Sequence, residues 1–237
     1  MTADQRLAIW STLDDPRVLR LLLAARPGWV VLDAQHGAWT ERPLTDVLVT
    51  LETHVPVWVR LADDRASGIG SALDAGASGV VVPLVESVEQ ASAAAAACRY
   101  PPTGRRSYGP MQGLAGRTAP STAEADAAMR CAVMVETAAG LERVADIAAV
   151  PGVDMVFVGP NDLSLSLGTT LDALLADDDE GAPLQTVVSA CRAAGVRAGA
   201  YGGDAVRGQR LLELGFTDVV VATDTGLLAG AAAAAVG

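Results

Sequence analysis

Cys131-Ala-Val-Met-Val-Glu136 and, after a helix-length interval, Met155-Val-Phe-Val-Gly-Pro-Asn-Asp162 are the stretches that decide the fold. Each is a short, almost uninterrupted apolar run that an acid closes or follows, which is typical of a strand buried on both faces of a parallel sheet. Neighbouring parallel strands end on the same side of their sheet. Glu136 and Asp162 are therefore expected to lie close together and to form a site for a divalent cation.

The same alternation of strand-like and helix-like segments runs through the whole chain. Gly76, Gly195 and Gly215 end three of the helix-like segments just before the next strand. The predicted strands are 7–11, 29–33, 57–60, 79–83, 131–136, 155–158, 197–200 and 218–222, and the predicted helices are 16–25, 41–53, 66–75, 87–99, 138–149, 183–194, 204–214 and 225–235. This alternation predicts a (β/α)8 TIM barrel, with a doubly wound open sheet as the alternative.

Residues 1–237 are predicted to form a single domain, because no shift in composition and no linker-like segment divides them. Two segments interrupt the alternation. Residues 100–128 are rich in Gly, Pro and Arg, and residues 168–182 contain the acidic run Asp177-Asp-Asp-Glu180. Long loops in compact domains are often functional. The acidic segment is equally typical of solvated surface.

The composition excludes several classes of function. A net charge of −11 argues against nucleic acid or an anionic membrane as a partner, since both need a basic face. The scattered cysteines Cys98, Cys131 and Cys191 indicate buried thiols in a reducing compartment rather than disulfides or a zinc site. The start of the chain lacks the apolar core of a signal peptide, and no segment is apolar enough to span a bilayer. The protein is therefore predicted to be cytoplasmic.

Unusual polar residues cluster at the predicted carboxyl ends of strands, where barrels of this class carry their active sites. Asp33 ends the second predicted strand and is followed by Ala-Gln-His36-Gly, and Arg60 ends the third. Glu136 ends the fifth, and Asp162 lies in the predicted loop after the sixth. Five charged or titratable groups on one rim are more than capping acids at strand ends would explain.

The types of these residues suggest their roles. Glu136 and Asp162 supply the hard oxygen ligands that Mg²⁺ or Mn²⁺ prefers, whereas zinc usually takes His or Cys ligands. Asp33 is placed to orient the ring of His36 as an acid–base group. Arg60 is placed to stabilise an oxyanion.

Five segments of the chain form a recognisable set. They are, in order, Val31-Leu-Asp33-Ala-Gln-His36-Gly37, Val59-Arg60, Tyr100-Pro-Pro-Thr-Gly104-Arg-Arg106, Met134-Val-Glu136-Thr137 and Val158-Gly-Pro-Asn-Asp162-Leu-Ser164. This set resembles the class II pyruvate-dependent aldolases of the HpcH/HpaI type, which belong to the phosphoenolpyruvate/pyruvate barrel superfamily. The similarity spans about residues 5–230, and its most specific parts are the Asp-x-x-His-Gly and Gly-Pro-Asn-Asp-Leu-Ser blocks taken together.

The resemblance implies a metal-dependent lyase that cleaves a 2-keto acid to pyruvate and an aldehyde, or runs the reverse condensation. It implies that Glu136 and Asp162 bind Mg²⁺, Mn²⁺ or Co²⁺ together with the keto acid. Arg60 would bind the C2 oxygen, and His36, oriented by Asp33, would act as the acid–base group.

The resemblance also implies a carboxylate-binding segment and an assembly. Within Gly159-Pro160-Asn161-Asp162, the backbone N–H groups of the last two residues would hold the pyruvate carboxylate, since Pro160 has no N–H. Members of this family commonly form hexamers, in which an acid at the position of Asp74 reaches the active site of a neighbour. We therefore expect a homo-oligomer, either a hexamer or a trimer of dimers.

Simple chemistry favours the same class of mechanism. Breaking a bond next to a ketone needs an electron sink, which is either a lysine Schiff base or a metal-stabilised enolate. Because the chain contains no lysine, only the second route is open. The family's usual Asp-x-Glu-His-Gly reads Asp33-Ala-Gln35-His36-Gly37 here, and Met134 replaces a Gln found in some relatives. These departures leave the natural substrate and the direction of the reaction open.

Two alternatives to a pyruvate aldolase remain. The same site would suit a biosynthetic or acyl-CoA-linked lyase or synthase, citrate-forming or like a citramalyl-CoA lyase. In that case Arg105, Arg106 and Arg117 could hold the CoA phosphates, although they could equally pin the long loop. The second alternative is a barrel that binds a keto acid without catalysis. The departures from the family pattern at Gln35 and Met134 suggest this alternative.

Overall fold

Eight parallel strands close into a barrel in the computed structural model, which describes residues 6–237. Each strand pairs with the next in sequence, and the eighth pairs with the first through partners such as Ala8 and Val220. The strands are β1 (Arg6–Ser11), β2 (Trp29–Asp33), β3 (Val57–Arg60), β4 (Gly79–Val82), β5 (Arg130–Met134), β6 (Met155–Val158), β7 (Arg197–Tyr201) and β8 (Asp218–Thr223). The predicted (β/α)8 barrel is confirmed, and the open sheet is wrong because the sheet has no free edge.

Helices follow the strands and return the chain to the amino-terminal ends of the barrel. The Asp15 carboxylate caps the first helix by accepting the backbone N–H of Arg17 at 2.7 Å, ahead of Pro16 at the first helical position. The helices are α1 (Pro16–Ala24), α2 (Glu41–Thr50), α3 (Ala66–Ala75), α4 (Val88–Cys98), α5 (Thr122–Ala128), α6 (Ala138–Glu142), α7 (Val144–Ala148), α8 (Pro160–Ser166), α9 (Leu171–Ala176), α10 (Pro183–Ala194), α11 (Ala205–Glu213) and α12 (Asp224–Val236).

Several sequence-based boundaries were wrong. The predicted helix 138–149 is interrupted at Arg143, whose backbone leaves the helical region, so α6 and α7 are separate. Both interrupting segments contain helices: α5 and a 3-10 turn (Gln112–Ala115) lie in the first, and α9 lies in the second. The fifth strand ends at Met134 rather than at Glu136.

Large rings fill the interior of the barrel. Trp10, Trp29, Trp58 and Phe157 pack against one another with ring centroids 4.8 to 6.2 Å apart. Gly79 makes room for this packing, because a Cβ at that position would lie 2.8 Å from the Trp58 ring. The barrel is therefore a packed core rather than a channel, and ligands can reach only its rims.

Buried charges seal the amino-terminal end of the barrel. The fully buried Asp218 carboxylate accepts a hydrogen bond from Arg6 Nε at 2.7 Å and another from Arg197 Nε. A buried carboxylate is tolerated when such partners satisfy it. The interior charges of this end have a structural role, which leaves the carboxyl-terminal end as the place for chemistry.

The cysteines are buried thiols, as the sequence predicted. Cys98, Cys131 and Cys191 are all free and buried. Burial raises the pKa of the Cys191 thiol to about 12, so it stays protonated and unreactive at neutral pH. None of the helices in residues 6–237 is long and apolar enough to span a lipid bilayer.

The last helix is poorly packed against the rest of its own chain. In α12 every residue after Asp224 is exposed, and none of them is charged. Leu227 is 46% exposed and Leu228 is 52% exposed. An apolar helix left open to water in this way is typical of a surface that a protein partner covers.

Candidate active site

An ion pair between neighbouring strands lies at the carboxyl-terminal rim. Asp33 ends β2 and Arg60 ends β3, and the two residues pair in register across the sheet. Arg60 donates from Nε to Asp33 Oδ1 at 2.9 Å and from Nη2 to Oδ2 at 2.6 Å. Both side chains are at least nine-tenths buried. This bidentate ion pair fixes the guanidinium plane and leaves Nη1 without a partner among residues 6–237.

Trp10 of β1 supports this ion pair from inside the barrel. Its indole Nε1 donates to Asp33 Oδ2 at 3.1 Å, and its ring lies 5.0 Å from the Arg60 guanidinium carbon. Burial alone would raise the pKa of Asp33. The hydrogen bonds and positive charge of Arg60, with the Trp10 hydrogen bond, outweigh burial and lower that pKa. The carboxylate is therefore ionised at neutral pH.

The relation between Asp33 and His36 differs from the expectation. Asp33 Oδ1 accepts the backbone N–H groups of Gln35 at 3.0 Å and His36 at 3.2 Å. With the three donors from Arg60 and Trp10, the carboxylate has no lone pair left for an imidazole. Asp33 therefore binds the backbone of the loop that carries His36. The expected contact between the Asp33 carboxylate and the His36 ring is not present. The His36 side chain is exposed at the rim.

Glu136 lies two residues beyond the end of β5 and is buried. Its Oε1 accepts the backbone N–H of Leu84 at 2.9 Å. Leu84 has a φ of 55°, a left-handed conformation that costs a non-glycine residue on the order of 1 kcal/mol. Its N–H is thereby directed at the carboxylate. Residues in such strained conformations often mark functional sites.

The second oxygen of Glu136 faces a space that a glycine keeps open. A Cβ at Gly159 would lie 2.6 Å from Glu136 Oε2. Oε2 accepts no hydrogen bond from residues 6–237. Oε2 is not one of the fully enclosed atoms without a partner, so a ligand can reach this oxygen from the rim.

Asp162 adds a second negative charge near Glu136. It lies in the first turn of α8, where the sequence predicted a loop, because Pro160 occupies the first helical position directly after β6. Burial raises the pKa of Glu136, and the charge of Asp162 raises it further, against the opposing effects of the Leu84 N–H and Arg60. Two acids that repel each other in this way fit a divalent cation.

The cation site would be an open one. No group of three or more His, Cys, Asp or Glu side chains in the described part of the chain could hold a metal ion. Two carboxylates would therefore leave most positions around a bound ion to water and substrate, as is common for Mg²⁺. The same turn of α8 presents the backbone N–H groups of Asn161 and Asp162, with Gly159 before it.

Asp74 lies away from this rim. It is in the last turn of α3, which returns to the amino-terminal face of the barrel, and its carboxylate accepts Arg106 Nη2 at 2.6 Å. Within one chain it cannot reach the site. Its expected contact with a neighbouring subunit stays a prediction.

Trp10, Tyr201 and Leu84 are part of the site but were not identified from the sequence. Tyr201 packs edge-on against Trp10, with ring centroids 5.4 Å apart. Extending the seventh predicted strand by one residue would have placed it on the rim. Trp10 could have been found because alternate residues of β1 face the interior of the barrel. Nothing in the sequence marks the positive φ of Leu84.

Comparisons with known proteins identify the family of the chain and agree with its fold. The family model described as HpcH/HpaI aldolase/citrate lyase matches residues 6–231. The chain is 34% identical over 232 residues to the hydroxypyruvate/pyruvate aldolase of Pseudomonas aeruginosa, covering 96% of this chain and 85% of that protein. A crystal structure of an HpcH/HpaI aldolase/citrate lyase family protein from Burkholderia cenocepacia superposes with a TM-score of 0.87 at 28% identity, covering 99% of this chain and 94% of that one. A citrate synthase named SbnG superposes with a TM-score of 0.83 at 26% identity, covering 98% and 91%. The protein belongs to the HpcH/HpaI aldolase/citrate lyase family.

Proposed function

We propose that the protein is a divalent-metal-dependent pyruvate aldolase that cleaves or forms 2-keto acids through the enolate of pyruvate. One observation carries this proposal: the unpartnered Oε2 of Glu136 lies beside the charge of Asp162, on the same rim as the Arg60 guanidinium. The relationship to a hydroxypyruvate/pyruvate aldolase supports the choice of substrate.

Glu136 and Asp162 would hold Mg²⁺, Mn²⁺ or Co²⁺. Such a cation would supply positive charge that stabilises the negative charge developing on the keto acid. Arg60, fixed by Asp33, presents Nη1 to the C2 oxygen and adds a second positive charge there. The Arg60 Nη1 donor is therefore already positioned before the reaction and does not have to reorganise.

Proton transfer is assigned to His36. Its ring is exposed at the rim, and its backbone is held by Asp33, so the ring can turn towards a substrate above the ion pair. Asp33 acts here as a positioning residue. The N–H groups of Asn161 and Asp162 would bind the substrate carboxylate, while Gly159 and Pro160 set their position.

The proposed assembly is a homo-oligomer, a hexamer or a trimer of dimers. The exposed apolar surface of α12 supports association of chains, because such a surface is unfavourable in water. Asp74 would contribute to a neighbouring site. The cytoplasmic location predicted from the sequence stays a prediction.

A citrate-forming or acyl-CoA-linked synthase or lyase is the second candidate, favoured by the likeness to the citrate synthase SbnG. The arginines considered for CoA binding give it little support. Arg106 pairs with Asp74, and Arg117 donates to the backbone oxygens of Val49 and Leu51. Both lie in the segment that leads from α4 to β5, which within one chain is on the face of the barrel opposite the proposed site.

The test is aldol formation by the purified protein. Pyruvate or hydroxypyruvate is incubated with a series of small aldehydes, with Mg²⁺ or Mn²⁺ and then with a chelator, and the products are identified by mass spectrometry. We expect new 2-keto acids only with metal. Turnover of acyl-CoA esters or oxaloacetate without any aldehyde reaction would favour the second candidate. Binding of metal and pyruvate without turnover would indicate a barrel that binds but does not catalyse.

A further inference from the structure

Tyr201 places a phenol in the wall of the proposed site. It ends β7, so it reaches the same rim as Asp33 and Arg60, and it packs against the aromatic cluster inside the barrel. Its ring meets Trp10 edge-on at an interplanar angle of 79°. Because Trp10 in turn lies under the Arg60 guanidinium, only one ring separates the phenol from the proposed catalytic charge.

The loop after β7 fixes the orientation of this ring. Gly203 has a φ of +76°, and a Cβ there would lie 3.0 to 3.3 Å from the Cε1, Cζ and Oη atoms of Tyr201. The ring is thus confined between Trp10 and the backbone of Gly203. A side chain confined on two sides loses little further freedom when its end group binds a ligand.

The hydroxyl group of Tyr201 has nothing to bond in the described part of the chain. The residue is only partly exposed. Burial raises the pKa of Tyr201, and the charges of Arg60 and Asp33 act on it in opposite directions. The phenol is therefore a protonated donor at neutral pH. A polar group in this position gains from a hydrogen bond with whatever fills the site.

The oxygens of pyruvate are already accounted for in the proposed function, by Arg60, by the cation that the acid pair would hold and by the N–H groups of α8. An oxygen left for Tyr201 must come from the aldehyde. We propose that Tyr201 is a specificity-determining residue whose hydroxyl hydrogen-bonds a hydroxyl group of the aldehyde, so that the enzyme prefers short hydroxyaldehydes to apolar aldehydes of the same size. This inference rests on the proposed function.

Glycolaldehyde and propionaldehyde test the assignment, because they differ by a hydroxyl in place of a methyl group. In Tyr201→Phe, kcat/KM for glycolaldehyde with pyruvate should fall about tenfold, while that for propionaldehyde changes less than about twofold. Exchange of the pyruvate methyl protons with solvent should be unchanged in this variant. Ser189→Ala is the control, since it removes an exposed hydroxyl from α10 on the outside of the barrel and should alter neither reaction.

An unchanged preference between the two aldehydes in Tyr201→Phe would overturn the assignment. So would an equal loss for both aldehydes, because that pattern would mean that the hydroxyl binds the carbonyl oxygen that both share or only supports the structure. Failure of the wild-type protein to exchange the pyruvate protons would overturn the proposed function itself, and this inference with it.

Discussion

The Asp33 carboxylate binds the Arg60 guanidinium through two hydrogen bonds of 2.9 and 2.6 Å and accepts a third donor from Trp10. Asp33, three residues before His36 in sequence, therefore binds and orients the arginine of the next strand. Pairing across neighbouring strands, rather than closeness in sequence, decides which residues act together in this site.

Asp33→Asn should destabilise the fold and weaken catalysis. The substitution leaves the Arg60 charge buried without its partner, which typically costs about 3 to 5 kcal/mol of unfolding free energy. Because Arg60 is then no longer fixed, kcat/KM should fall about 100-fold. Urea denaturation and steady-state kinetics measure the two effects.

Asp63→Asn is the control for this prediction. Asp63 pairs with Arg65 at the surface, and its side chain is 46% exposed. Loss of such a pair should cost less than about 1 kcal/mol. Equal stability of the two variants would contradict the account of the buried pair.

The pH dependence of stability should reflect Asp33. Since the folded state lowers its pKa below the ordinary value of 3.8, the unfolded chain binds more protons there in acid. The contribution of the Asp33 carboxylate to the unfolding free energy is fully present at neutral pH. It begins to be lost as the pH falls below about 4 and is gone once the pH has passed through the lower pKa of the folded state. The difference in unfolding free energy between wild type and Asp33→Asn should therefore shrink towards low pH. A difference that is constant between pH 7 and pH 3 would contradict the lowered pKa.

Much of the fold could be predicted because its signals are local. Strands β2, β3 and β6 have the predicted bounds, since buried apolar runs and the turns that bound them are visible in the sequence. Helix α8 was missed because Pro160 directly after a strand was interpreted as part of a loop. Strand β5 begins one residue and ends two residues before its predicted bounds. Strand β7 extends one residue beyond its predicted end, which is why Tyr201 was missed.

The site could be predicted only as a set of positions on one rim. Asp33 and Arg60 end the strands that the pattern gave them, whereas Glu136 lies two residues beyond its strand. The partners of each side chain depend on rotamers and on contacts between distant segments, such as the N–H of Leu84 directed at Glu136 across 52 residues. No local signal in the sequence encodes those contacts.

Gly159→Ala should disturb metal binding without unfolding the protein. The backbone of Gly159, with φ −94° and ψ 92°, suits any residue, so the main conflict is between the new Cβ and Glu136 Oε2 at 2.6 Å, with a milder one against the flexible end of Met134 at 3.3 Å. Displacement of that oxygen should weaken Mn²⁺ affinity at least about tenfold, as measured by calorimetry. Gly70→Ala is the control, because a Cβ there meets nothing within 4 Å. Equal Mn²⁺ affinities in the two variants would contradict the assignment of Glu136 as a ligand.

The assembly should depend on α12. The double variant Leu227→Glu/Leu228→Glu places two charges on the exposed apolar helix and should lower the mass measured by light scattering, while Leu227→Met/Leu228→Met should keep the wild-type mass. A wild-type protein that is monomeric at micromolar concentration would rule out the proposed oligomer.

Glu136 and Asp162 are proposed to form a metal site at which pyruvate is enolised. The direct measurement is incorporation of solvent deuterium into the methyl group of pyruvate, followed by NMR, in wild type and in Glu136→Gln, with Glu142→Gln on the exposed surface of α6 as the matched control. The account predicts rapid exchange in wild type and in the control only when Mg²⁺ or Mn²⁺ is present, and none above background in Glu136→Gln. Exchange that continues in Glu136→Gln, or in wild type after chelation of the metal, would contradict it.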